Sequence, residues 1–159
     1  MAKKKYLIAE ILCVLALAAF ITGLWISRSG GTDKDIQTIS APVIQSLEKS
    51  GMTQKSNSDA IKTFGIELDK TEGVTYYSND NVMDVSELLI IKLKDKSDGE
   101  AFRDKIEKHI EEQKKLYKSY APKQYALLDN SIVEASANTV FYCAAENAAA
   151  LNEAFKKAL

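Results

Sequence analysis

The chain has 159 residues, a formal net charge of −1, 46% apolar and 27% charged side chains, two cysteines and one histidine. That length holds one domain plus an extension, and the balance is that of a globular protein. Taking Lys3, Lys4, Lys5 and Arg28 from the 21 basic residues and Glu10 from the 22 acidic ones leaves 17 and 21 from Gly30 onward. A mildly acidic remainder excludes a nucleic-acid partner, because phosphate backbones need clustered Lys and Arg.

The first element is the apolar run YLIAEILCVLALAAFITGLWI, Tyr6 to Ile26. About 20 helical residues span the roughly 30 Å of a bilayer's hydrocarbon core. AKKK precedes the run and Trp25 closes it, which predicts a single-pass transmembrane anchor with its N-terminus cytoplasmic and everything after Ser27 outside. A cleaved signal peptide has a shorter apolar stretch ending in small residues, whereas this one ends in Leu24, Trp25 and Ile26. Cys13 follows Leu12 in mid-run, which does not suit lipidation. Glu10 lies one turn from the basic end, where a carboxylate can reach the interface. The expected division is 1–28 basic tip and anchor, 29–35 linker, and 36–159 extracytoplasmic domain.

Within the domain, Ile36, Ile39, Val43 and Leu47 recur at helical spacing, with Gly51 as a stop. Pro42 suits the first turn of a helix capped by Ser40, so a start there is also predicted. SDAIKTFG reads as a short helix ended by Gly65, and VTYYS as a strand. ELLIIKLK, Glu87 to Lys94, is a strand whose consecutive Leu88, Leu89, Ile90 and Ile91 predict cover on both faces and a central place in a sheet. SDGE reads as a capping box from Ser97 to Glu100. The helix it opens carries Phe102, Ile106, Ile110, Gln113, Leu116 or Tyr117, and Tyr120 on one stripe, and ends before Pro122.

PKQYALLDN reads as a second short helix, SIVEAS and TVFYCAA as a hairpin around Ala137-Asn138, and NAAALNEAFKKAL as a final helix capped by Asn147. Strand-strand-helix thus occurs twice. The expected fold class is α+β, an N-terminal transmembrane helix followed by an antiparallel sheet with helices mainly on one face.

No G-x-S-x-G, P-loop, H-E-x-x-H or C-x-x-C occurs in the chain. No catalytic residue, metal or cofactor is therefore expected. His109 reads as a surface or boundary histidine, and Cys143 as a small apolar side chain on its strand. Asp80, Asp84 and Glu87, with Asn79 and Asn81, read as a solvated turn. The candidate contact residues are Gln113, Tyr117, Tyr120 and Tyr125. The first three share one side of a helix, and the fourth follows the elbow at Pro122. They read first as a structural elbow with buried rings, and second as a groove for a ligand or partner.

ELLIIKLKD, the glutamine before YKSYAP, then LLDNSIV and ANTVFYCAA, together resemble a bacterial domain-of-unknown-function family of small surface proteins from Gram-positive anaerobes. The resemblance rests on Glu87 and Leu88, on Gln113, Tyr120 and Pro122, and on Asn138 and Val140. The chain departs at His109, where arginine is common, and at Ala137 and Thr139, where Gly and Tyr are common. The resemblance implies an N-terminal anchor or lipoprotein signal and brings no activity. The expected function is a membrane-anchored extracytoplasmic binding module with an envelope protein or cell-wall partner. A cell-envelope hydrolase and a purely structural envelope protein are the alternatives.

Overall fold

The structure is a computed structural model and describes residue 14, residues 32–47 and residues 50–159. The chain divides into two compact units, Met1–Gly30 and Gly31–Leu159. Apart from Val14, the predicted span 6–26 lies outside the described residues. Among the described residues no helix is long and apolar enough to cross a membrane.

The second unit runs α1 (Ile36–Gln45), β1 (Met52–Gln54), α2 (Asn57–Phe64), a 3-10 turn (Leu68–Lys70), β2 (Thr71–Asn79) and β3 (Glu87–Leu93). A second 3-10 turn (Lys96–Asp98) leads into α3 (Gly99–Tyr117), then α4 (Pro122–Asp129), β4 (Ile132–Ser136), β5 (Thr139–Ala144) and α5 (Ala148–Ala158). The five strands form one sheet in the order β1-β2-β3-β5-β4, every neighbouring pair antiparallel. The α+β class, the doubled strand-strand-helix order and the central place of β3 agree with the sequence reading. The edge strand β1 was not foreseen, since three residues are too few for a periodic signal.

The expectation of helices mainly on one face is corrected. Leu88, Ile90, Phe141 and Cys143 pack under α1 and α5 with Ile39, Val43, Leu151 and Phe155. Leu89, Ile91, Leu93, Val140 and Tyr142 pack on the opposite face with Phe64 of α2, Phe102 and Ile106 of α3, and Leu128 of α4. The reason is the apolar continuity of β3 and β5. A strand whose consecutive residues are apolar puts apolar side chains on both faces and must be covered on both sides.

Three local expectations also change. The first helix starts at Ile36 under an Asp35 cap, whose Oδ1 accepts from the Thr38 amide at 2.6 Å, while Ser40 is buried in mid-helix and Pro42 lies inside. A start at Ser40 would leave Ile36 and Ile39 outside the amphipathic stripe. No Ser97–Glu100 capping box forms. Asp95 accepts from the Ser97 amide, and α3 begins at Gly99 without a side-chain cap bond. The capping box is instead at Ser56 and Asp59, opening α2.

Tight contacts fix both edges of this core. A Cβ on Gly73 would lie 2.5 Å from Cγ2 of Ile36, so the close approach of α1 to the β2 bulge requires glycine there. Asn138 ties the β4–β5 turn down. Its Nδ2 donates to the Leu93 carbonyl at 3.2 Å, and its Oδ1 accepts from the Thr32 amide at 2.9 Å.

Candidate functional site

Helix α3 ends at Tyr117, five residues before Pro122, and Pro122 opens α4 at its first turn. Tyr117 is buried, and its hydroxyl donates to the Val82 carbonyl at 3.1 Å. Its ring lies 5.5 Å from that of Tyr120. Tyr120 is 59% exposed, which corrects the expectation of a ring tucked beneath the elbow. Tyr125 is half-buried and packs on the core, and Gln113 is half-buried. The structure therefore joins Tyr117 to Tyr120 and turns Tyr125 away into the core.

Helix α4 presents other residues to a cleft of about 720 Å³ at the end of the sheet where β3 begins and β5 finishes. Five parts of the chain build it. Ser46 and Ser50 follow α1, Met52 opens β1, Asp84 and Ser86 lie between β2 and β3, Gln124 and Leu127 come from α4, and Glu146 follows β5. The cleft lies within the usual size range for small-molecule sites. Gln124 also holds its wall in place, since its Oε1 accepts from the Val85 amide at 2.9 Å. Asp84 accepts from Asn79 and from the Ser86 amide, each at 2.9 Å. Sequence reasoning found the elbow and missed these residues, because they lie far apart in the chain and none carries a motif.

A second polar group lies beneath α3. Glu87 accepts from Tyr76 at 2.8 Å and from Tyr142 at 3.1 Å, and Nε2 of His109 lies 2.9 Å from its Oε2. Two tyrosine hydroxyls and the His109 ring therefore converge on one carboxylate. The expectation of a surface or boundary His109 is corrected. The residue is 9% exposed, and its ring meets Phe64 at 4.7 Å. Burial, reinforced by the Glu87 charge, pushes the Tyr76 and Tyr142 hydroxyls well above the ordinary tyrosine range. Two patterns in the sequence could have found this cluster. Glu87 is in phase with Leu89 and Ile91, and His109 falls three residues after Ile106.

Neither the cleft nor the groove of about 340 Å³ beside Lys114 is lined by Glu87, His109, Tyr76 or Tyr142. Cys143 packs on the other face, as its strand position predicts, and burial pushes its thiol up to about 12. Among the described residues no group of His, Cys, Asp and Glu could hold a metal ion.

Residues 45–145 match the model of a family described as Domain of unknown function (DUF4358). The chain belongs to the DUF4358 family. The DUF4358 match runs from the last residue of α1 to just past β5, and so contains the whole sheet, the Glu87 cluster, the elbow and most of the cleft. No curated protein and no solved structure matches.

Proposed function

We propose that this DUF4358 chain is a binding module held at the cell envelope by an N-terminal membrane span. It would be a surface protein of the kind the sequence resemblance names in Gram-positive anaerobes. The apolar run 6–26 behind Lys3, Lys4 and Lys5 supports the anchor and an extracytoplasmic domain. The observation that carries the binding role is the cleft, whose polar walls come from five separate parts of the chain. Its serine hydroxyls have no imidazole beside them, because the single histidine is bonded to Glu87 beneath α3. That favours recognition over hydrolysis. Its occupant is an envelope protein segment or cell-wall material.

Crosslinking in intact membranes tests this reading, with Ala126→Trp as the blocking variant. Ala126 is exposed and lines the cleft, so the indole fills the space without entering the core. The variant should fold normally and lose the crosslinked species. An unchanged crosslinking pattern would remove the cleft from the argument. External protease should remove the domain from protoplasts, and complete protection would reverse the topology.

A further inference from the structure

The domain gathers exposed apolar side chains at one corner. Val82 is 87% exposed, Met83 48%, and Leu116 and Tyr120 are each 59% exposed. The Tyr117 bond to Val82 and the Tyr117–Tyr120 ring contact join the tip of the β2–β3 connection to the end of α3. Solitary exposed apolar residues need no explanation, but a grouped set marks a contact surface.

The tip is built so that it can leave water at low cost. Loop amides ordinarily bond to solvent, and burying them unpaired is costly. Here the side chain of Asn79 accepts from the Asn81 amide at 2.9 Å, and that of Asn81 accepts from the Met83 amide at 3.0 Å. Asp84 takes the Ser86 amide and Gln124 takes the Val85 amide. These amides are held by the domain's own side chains, while Val82 and Met83 stand exposed.

Charge selects the occupant. Lys115 and Lys118 lie exposed at the end of α3, beside Leu116 and near Tyr120 in the chain, and pair with no carboxylate among the described residues. A second copy of the same surface would set lysine against lysine. A protruding tip would need a fitted pocket on a protein partner, whereas a lipid surface deforms around it. Exposed lysines at the end of α3, beside an apolar tip with a tyrosine at its collar, match the charge and polarity profile of an anionic bilayer. We infer that Val82, Met83, Leu116 and Tyr120 dip into the headgroup region of an anionic lipid surface, with Lys115 and Lys118 against the phosphates. The inference rests in part on the proposed anchor, which keeps a bilayer at high effective concentration and lets a weak contact engage.

Trp25 is the only tryptophan, so full-length protein carrying Trp25→Phe and Val82→Trp reports on the tip alone. It is reconstituted in phosphatidylcholine vesicles with or without phosphatidylglycerol, their acyl chains brominated. The expected result is quenching of tip fluorescence that requires phosphatidylglycerol and is lost in high salt or with Lys115→Glu plus Lys118→Glu. A control with tryptophan at exposed Ser58 should remain unquenched. Absent quenching, equal quenching at Ser58, or indifference to phosphatidylglycerol overturns the inference, as would a tip held by a protein partner instead. Vesicle flotation that resists alkaline carbonate reads the anchor separately, so failure of the span and failure of the tip are distinguishable.

Discussion

Nε2 of His109 on α3 lies 2.9 Å from Oε2 of Glu87, the first residue of the central strand. Through that carboxylate, α3, β2, β3 and β5 share one buried hydrogen-bonded centre. Removing the carboxylate strands three partners at once. Glu87→Leu should therefore destabilise the domain by about 3 kcal/mol, the scale of breaking a buried polar pair from one side. Glu87→Gln keeps one acceptor oxygen and should cost less. Urea denaturation of the two variants checks the order, and equal midpoints would show that the network contributes little.

The same centre predicts weakness in alkali. Tyr76 and Tyr142 have raised values in the folded state against an ordinary value of about 10 in the unfolded chain. Their contribution is fully present below about pH 10 and falls as pH rises above it toward the folded values, because the unfolded state loses its protons first. Denaturant midpoints should drop steeply above about pH 10. In the Tyr76→Phe, Tyr142→Phe double variant that slope should flatten, and an unaltered slope would assign the effect to other groups.

Ala137 holds φ +54° in the β4–β5 turn, a left-handed conformation that an L side chain adopts at a cost. Ala137→Gly should raise stability by about 1 kcal/mol, the strain relieved less the added freedom of the unfolded chain. A shift of the thermal midpoint downward would mean that Asn138 alone sets the turn.

The two elbow tyrosines should separate cleanly. Tyr117→Ala removes a buried ring and its bond to Val82 and should cost about 3 kcal/mol. Tyr120→Ala removes an exposed ring and should stay within about 0.5 kcal/mol. One pair of denaturation curves decides it, and a large loss from Tyr120→Ala would restore the buried elbow expected from the sequence.

Much of this architecture was legible without coordinates. The four consecutive apolar residues of β3, Leu88 to Ile91, can be satisfied only by cover on both faces, so they marked the central strand. The stripe Phe102, Ile106, Ile110 set the inward face of α3, and Gly65, with φ +64°, ended α2 as its lack of a Cβ allows. These are local rules, read from spacings of two to four residues. Which faces the helices took, that Glu87 and His109 meet across 22 positions, and that Ser50, Ser86, Gln124 and Glu146 share one cleft were decided by the tertiary structure. The physical reason is that side chains far apart in sequence acquire a common environment only when the sheet register brings them together. Turn geometry sets register within a hairpin such as β4–β5, but β3 and β5 lie far apart in the chain, and their pairing is decided only when strands and helices pack together.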